Sequence, residues 1–336
     1  MMKIKSERYS LQKLRFGVQL AFALLCIWIG VEFYYFVRYF ETGGQIAFHS
    51  RPAGVDGFLP ISSLMSLVYF LKTGIIHLVH PAGFYILISI LLMSLVFKKS
   101  FCSWLCIVGT LSEKLGDLGE FIFRKKIRMP KVADSVLRGI KYLLLAFFVF
   151  IIFRMTAFEL KSFLDGDFNI VADVKMYDFF AQISNVSLIV ISVLVILSVF
   201  FRGFWCRYLC PYGALLGLVG LLSPNKIRRN EESCISCGKC SKVCPSFIKV
   251  DQIRTVHSDE CSSCMRCIDS CPVKNTLVIK PILTNKPISK NWVAAAVIII
   301  FLGVTAIGML SGKWQNSISK EKYMELYQHR NEIKHR

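Results

Sequence analysis

The chain has 336 residues, 54% of them hydrophobic and 27 of them Phe, with a mean hydropathy of +0.52. That profile excludes a wholly water-soluble globule. The net charge of +19 raises nucleic acid as a partner, yet the basic residues gather in alternate loops between apolar stretches, which is a membrane pattern and argues against a nucleic-acid surface.

Five stretches are long and apolar enough to cross a bilayer, which takes about 20 residues: 16–37, 76–97, 142–158, 179–201 and 292–310. Basic residues precede the first (Lys3, Lys5, Arg8, Lys13, Arg15) and follow the second (Lys98, Lys99, Arg124, Lys125, Lys126, Arg128, Lys131). More follow the fourth (Arg202, Arg207, Lys226, Arg228, Arg229), so all three groups are expected on the cytoplasmic side, against anionic lipid. The first stretch is too long for a cleaved leader and has no small-residue cleavage site after it; Cys26 within it reads as packing.

A Gly- and Pro-rich outer loop, 39–60, leads to a moderately apolar segment, 61–72, expected along the outer interface. His77 and His80 open the second stretch; an i, i+3 pair does not supply opposed axial ligands, and interfacial hydrogen bonding is their commoner use. Glu32 and Arg154 are ionisable residues inside the first and third stretches, hence candidates for quinol or proton handling, or for pairing or snorkelling. Residues 111–131 suggest a surface helix, and a second outer loop carries Asp165, Asp167, Asp173 and Asp178. Trp104, Trp205, Tyr208 and Tyr212 read as an interfacial belt. The tail beyond 311 is expected outside, against the mild objection of its six Lys and Arg to three Glu.

The second and fourth stretches each end in a related motif, Phe101-Cys102-x3-Cys106-x2-Gly109 and Trp205-Cys206-x3-Cys210-Pro211-x-Gly213. Span, loop, span and motif thus occur twice in the same orientation, which implies two parallel halves about an axis along the membrane normal. The i, i+4 spacing puts each cysteine pair on one helix face. Four convergent thiols would make a third redox or metal centre, or a dithiol pair; alternatively they are buried structural cysteines.

Eight further cysteines stand in two runs of one pattern, C-x2-C-x2-C-x3-C-P: Cys234, Cys237, Cys240, Cys244 with Pro245, then Cys261, Cys264, Cys267, Cys271 with Pro272. Three closely spaced thiolates reach three corners of a [4Fe-4S] cube, and the fourth of each run completes the other cube. One cluster therefore takes Cys234, Cys237, Cys240 and Cys271; the second takes Cys261, Cys264, Cys267 and Cys244. Zinc favours paired CxxC ligands, and a disulfide framework would need an oxidising compartment. Residues 231–279 hold six acidic and six basic side chains, so the excess charge belongs to the membrane part.

On the paired CxxxC motifs after the second and fourth stretches and the double cysteine run, the chain resembles the membrane polyferredoxins of the NapH, NosR and CcoG group, and within it the YccM type, over about residues 15–310. Ile107 stands where the first motif should have proline, which weakens Cys102 and Cys106 most. The resemblance implies electron transfer between the quinol pool and periplasmic systems, or copper reduction.

The expected fold is an α-helical membrane protein of about five spans in two parallel two-helix repeats, with a cytoplasmic α+β ferredoxin-like domain of two clusters. Its parts are 1–110, 111–139, 140–222, 223–285 and 286–336. The expected role is a bacterial inner-membrane electron carrier linking quinol or a periplasmic redox partner to cytoplasmic clusters. Alternatives are a copper reductase using the CxxxC thiols, and a redox sensor or assembly factor. No acid-base or nucleophilic constellation is visible, which favours a carrier over a substrate-converting enzyme.

Overall fold

Backbone groups in lipid must satisfy one another, so apolar spans are expected to be helical. A computed structural model, which describes residues 11–282 and 286–333, contains a helix in every one of the five stretches. Lys3, Lys5 and Arg8 lie outside the described residues. In chain order the helices are α1 (Leu11–Glu41), α2 (Pro60–Thr73), α3 (Pro81–Phe97), α4 (Ser100–Trp104), α5 (Ile107–Phe123) and α6 (Lys131–Arg154). There follow α7 (Ala157–Leu164), α8 (Asp167–Ile170), α9 (Ala172–Ala181), α10 (Asn185–Phe200) and α11 (Pro211–Leu221). Last come α12 (Lys239–Val243), α13 (Arg266–Ser270), α14 (Lys290–Leu310) and α15 (Lys320–Gln328), and two strands, β1 (Asn225–Arg229) and β2 (Leu277–Pro281), pair antiparallel.

Three of these helices, α1, α6 and α14, are long and apolar enough to cross a membrane. A fourth crossing exists if α9 and α10 count as one, and they are bent by 83°. The span expected at 179–201 is therefore broken. The break has a local cause: the Ser184 hydroxyl accepts from the Ser187 N–H (3.2 Å), so the chain restarts a helix there with its own cap. The second span is shorter than expected, beginning at Pro81 with the ring at the first helical position, where no N–H is needed. The third begins at Lys131, well before 142, and stops at Arg154. There Thr156 and Glu159 form a capping box that opens α7.

The chain divides into two compact units. The first comprises the described residues up to Ala23, with Ile90–Leu145 and Val193–Phe301. Its core runs from Leu11, Met93 and Trp104 to Ile227, Val256, Met265 and Ile279. The expected surface helix appears as α5, whose Gly116 and Gly119 permit close approach to Arg202 and to the Val199 carbonyl.

The second unit comprises Leu24–Ser89, Ala146–Ser192 and the described residues from Leu302. In it one face of α2 is packed: Met65, Val68 and Tyr69 are buried with Ile152, Leu160 and Leu164. The four Asp residues of the loop expected outside are all engaged. Asp165 meets His77 (3.0 Å), Asp167 Lys322 (3.6 Å), Asp173 Arg51 (2.5 Å) and Asp178 Arg330 (2.9 Å). Two tail cations thus find partners on that loop.

Arg51 is the electrostatic centre of the second unit. It bonds Asp173 and Asp56, both at 2.5 Å, and both carboxylates are fully buried. His80 lies between Asp56 (2.9 Å) and the Asn169 carbonyl (2.7 Å). Burial by itself would raise the Asp56 carboxyl, and Arg51 with His80 outweighs it, holding the group below its ordinary 3.8. Its stabilising effect is full above that value and is lost as the pH falls below it. Arg51→Leu leaves two buried carboxylates unpaired and is expected to cost about 3–5 kcal/mol, measured by denaturant unfolding in detergent. An unchanged unfolding midpoint would refute that role.

Candidate electron-transfer site

The two cysteine runs fold alike, residue for residue. In each the third and fifth residues adopt the left-handed conformation: Ser236 and Gly238 in one, Ser263 and Met265 in the other, with φ between 48° and 67°. These reversals curl the chain around a concave space. Only one of the four is glycine, and a buried Met at φ 58° is held there by its packing. The third cysteine then sits on a five-residue helix, α12 or α13. The fourth ends it in extended conformation, Cys244 at ψ 121° and Cys271 at ψ 121°. The following proline excludes the helical region there and sends each fourth cysteine across to the other loop.

The result is two cavities. Cys234, Cys237, Cys240 and Cys271 line one; Cys244, Cys261, Cys264 and Cys267 line the other. Each cavity thus gathers three thiols of one run and the fourth of the other. Thiolates are the ligands iron-sulfur chemistry selects, so this donor set fits a [4Fe-4S] cube in each. Among the described residues no three His, Cys, Asp or Glu side chains converge closely enough for a single metal ion.

The two cavities differ in setting. Cys237 is exposed, whereas Cys244, Cys261, Cys264 and Cys267 are buried. Backbone N–H groups at Ser236 and the Arg229 guanidinium draw the Cys234 thiol down. Burial pushes Cys244 up to about 11 and Cys267 well above its ordinary value. Loading the inner cavity therefore requires that metal displace protons the protein otherwise retains.

Cys102 and Cys206 each feel the charge of thiols on both motifs. The two motifs share their geometry. Cys106 N–H bonds the Phe101 carbonyl and Cys210 N–H the Trp205 carbonyl, both five residues back at 3.0 Å. Such wide turns recur at functional sites. Each second cysteine caps the next helix, its sulfur accepting from Gly109 N (3.4 Å) or Gly213 N (3.3 Å). Ile107 occupies the first helical position that Pro211 occupies in the other motif, where the N–H has no helical partner in any case, so its replacement of proline leaves the geometry intact. Burial raises the Cys102 thiol far above its ordinary value and pushes Cys206 up to about 12.

The inner cysteine loop is seated on the first of these motifs. Ser103 Oγ donates to the Ser262 carbonyl (2.6 Å) and Trp104 Nε1 to the Ser263 carbonyl (3.2 Å). The donors are the two residues that follow Cys102, and both acceptors lie between Cys261 and Cys264. Gln12, Arg15 and Gln19, on one face at the start of α1, clasp the joint. Gln12 donates to the Cys264 carbonyl (3.0 Å), and Arg15 and Gln19 to the Ser103 carbonyl (3.0 and 2.9 Å). Burial would raise the Glu113 carboxyl, but Arg15 and Arg266 hold it at about 2. Trp104, expected in an interfacial belt, is fully buried as part of this joint.

Glu32, His77, His80 and Arg154 lie in the second unit. Glu32 accepts from Trp28 Nε1 (3.2 Å) and faces His49 (3.7 Å). Arg154 lies over the Phe150 ring (5.3 Å). Among the described residues no ion pair joins them. His77 and His80 are committed to Asp165 and Asp56.

Two family profiles match the chain. One, a 4Fe-4S binding domain, matches twice, at 79–130 and 186–230; the other, a 4Fe-4S dicluster domain, matches 226–272. YccM of Escherichia coli (strain K12), a protein named for electron transport, is 46% identical over 93% of this chain and 89% of its own length. The chain belongs to the YccM-type membrane polyferredoxins. An uncharacterized protein of Methanocaldococcus jannaschii is 25% identical over 68% of this chain and 81% of its own. The ferredoxin-type protein NapH of Haemophilus influenzae is 28% identical over 56% and 64%. No solved structure matches. As a YccM-type polyferredoxin the chain carries 4Fe-4S clusters, transports electrons, associates with a membrane and works with a redox partner.

Gly109 and Gly213 hold equivalent places with unequal tolerance. A Cβ on Gly109 would overlap the Cys102 carbonyl, whereas one on Gly213 meets nothing nearer than 3.4 Å. Gly109→Ala is expected to cost about 1–3 kcal/mol and to open Cys102 and Cys106 to alkylation. Gly213→Ala should stay close to wild type by both thermal unfolding and thiol labelling. Equal behaviour of the two variants would contradict the asymmetry.

Proposed function

We propose that this protein is an electron conduit of the bacterial inner membrane. Its cytoplasmic clusters, at Cys234, Cys237, Cys240 and Cys271 and at Cys261, Cys264, Cys267 and Cys244, exchange electrons with a soluble redox partner. Its membrane part exchanges them with quinol or with a partner on the periplasmic side. The thiols of Cys102, Cys106, Cys206 and Cys210 are a third redox or metal centre between the two. The proposed arrangement has about five crossings in two parallel repeats, 1–110 and 140–222, with a linker at 111–139, the cluster domain at 223–285, and a last crossing and outer tail at 286–336. The repeated family match at 79–130 and 186–230 supports the repeats. The pairing of Lys322 and Arg330 with Asp167 and Asp178 supports a tail on the same side as the second outer loop.

The observation that carries this reading is the seat of the inner cysteine loop on the Cys102 motif through Ser103 and Trp104. The clusters would supply the redox chemistry. The chain's own part is to hold their ligands, exclude water from the inner loop and fix that loop against the next sulfur group. A copper-reducing use of the same four thiols is the second reading, favoured by the charge interaction between thiols of the two motifs and by the affinity of thiolates for Cu(I).

Iron and sulfide analysis comes first: about eight iron per chain fits two cubes, and about twelve adds a third. The protein is then reduced anaerobically in detergent and mixed with a soluble menaquinone analogue while cluster absorbance is followed. Saturable reoxidation is expected, slowed to a small fraction of its rate in Cys206→Ser with the eight-cysteine clusters still present. Failure of the quinone to reoxidise the wild type would overturn the quinol link. Copper-dependent reoxidation lost in the same variant would establish the second reading in its place.

A further inference from the structure

The inner cysteine loop is bordered by an unusual amount of buried positive charge. Lys98, Lys99, Lys141 and Lys226 are each no more than 6% exposed. Two carboxylates, Asp259 and Glu260, immediately precede Cys261. Glu260 takes Lys99 (3.2 Å) and also Lys141, while Asp259 accepts from the Tyr142 hydroxyl. Among the described residues Lys98 donates to a neutral partner, the Ser258 carbonyl (2.8 Å), and Lys226 lies against His257 Nδ1 (3.2 Å). Arg266, on the same loop, is matched by Glu113 and Asp117. Helix α11 is pressed against this cluster through its glycines: Cβ atoms on Gly217 and Gly220 would meet the Asp259 carbonyl and Lys98 Cα, each at 3.1 Å.

Four buried lysines therefore stand beside two carboxylates. An uncompensated buried charge is costly, so the site calls for a further anion. The thiolate sulfurs at the inner loop are the available one: Lys98 and Lys99 both favour the charged form of Cys261. A cube held by four thiolates is anionic, and more so after it accepts an electron.

The outer cavity is less cationic, although Arg229 favours the charged form of Cys234 there. Cys237 is exposed. Arg229 at the cavity is paired with Glu231 (3.1 Å). The Asp251 carboxylate lines the wall and is fixed there by Ser241, working against negative charge on Cys240. Burial disfavours an added electron at the inner site, and nearby fixed cations favour it. A low dielectric enlarges the effect of those cations.

On the reading that the eight cysteines hold two clusters, we propose that Lys98 and Lys99 poise the inner cluster (Cys244, Cys261, Cys264, Cys267) at a higher potential than the outer one (Cys234, Cys237, Cys240, Cys271). The outer cluster is then the entry port. A soluble one-electron donor, an iron-sulfur or flavin protein, reduces it by one electron at the exposed Cys237 edge and is itself oxidised by one. That electron passes to the inner cluster, which adjoins the Cys102 motif, and the outer cluster returns to its oxidised state. No proton need move in this exchange.

The test is a redox titration of the intact, cluster-loaded protein in detergent, followed by electron paramagnetic resonance. Iron analysis beforehand separates the two readings: a chain without two cubes fails the cluster assignment, whatever its potentials. The wild type should show two steps, with the inner cluster favoured for the first electron by about tenfold, or ~59 mV for a one-electron couple. Lys98→Gln and Lys99→Gln should lower the upper step and leave the lower one in place, and Lys98→Arg should restore it. Asp251→Asn, at the outer cavity, should raise only the lower step, and it keeps the proposal open to refutation if the lysine variants do not fold. Cys237→Ser should perturb the signal of the lower step. An upper step that ignores both lysine changes, a lower step that ignores Asp251→Asn, or a Cys237→Ser effect on the upper step would each overturn the proposal.

Discussion

The joint between the inner cysteine loop and the Cys102 motif is the constraint on which the first unit depends. Two side-chain donors from adjacent residues, Ser103 and Trp104, reach two adjacent carbonyls, those of Ser262 and Ser263. Main-chain carbonyls within a curled CxxC loop have no ladder to satisfy them, and buried polar groups are almost always paired. The joint therefore completes the loop as well as positioning it. The start of α1 reinforces it from a third direction, and Arg15 with Glu113 supplies a buried ion pair beside it. The arrangement binds three distant parts of the chain through backbone atoms, so it specifies geometry without depending on the metal chemistry it surrounds.

Repetition operates at two scales in this unit. The cysteine runs repeat with the same left-handed residues, the same short helix and the same extended Cys-Pro exit. The CxxxC motifs repeat with the same five-residue turn and the same sulfur cap. In each case symmetry of the backbone coexists with asymmetry of surroundings. Cys237 is open while Cys264 is buried, and Gly109 is tightly confined while Gly213 is not. Equivalent ligand sets in unequal environments give a protein different sites from one local fold.

Much of this is legible in the residue order because ligand spacing is local. The two crossed thiol sets and the equivalence of the CxxxC motifs depend on a handful of neighbouring residues, so the order of those residues is enough to reveal them. The interruption near Gln182 is hidden because apolar residues continue on both sides of it, and one serine cap decides the matter. As residues in a row, Lys98 and Lys99 mark sidedness; their burial against Glu260 and Cys261 depends on contacts far along the chain. Ile107 looks like a defect in the first motif, yet the free N–H at the start of any helix removes the need for proline there. The polar face of Gln12, Arg15 and Gln19 stands in plain view at the head of an apolar helix, at spacings of three and four residues. It is the one sign in the residue order that this helix end has a partner to grip.

The exposure of Cys237 has a consequence for handling the protein. Oxidants attack accessible sulfur first, and on the crossed assignment this residue anchors the outer cube. The inner cube is shielded by its own buried ligands and by the packed side chains around Trp104 and Met265. Air would then degrade the protein from one end, giving a half-loaded form before an empty one. That half-loaded form would still hold the cluster beside the Cys102 motif.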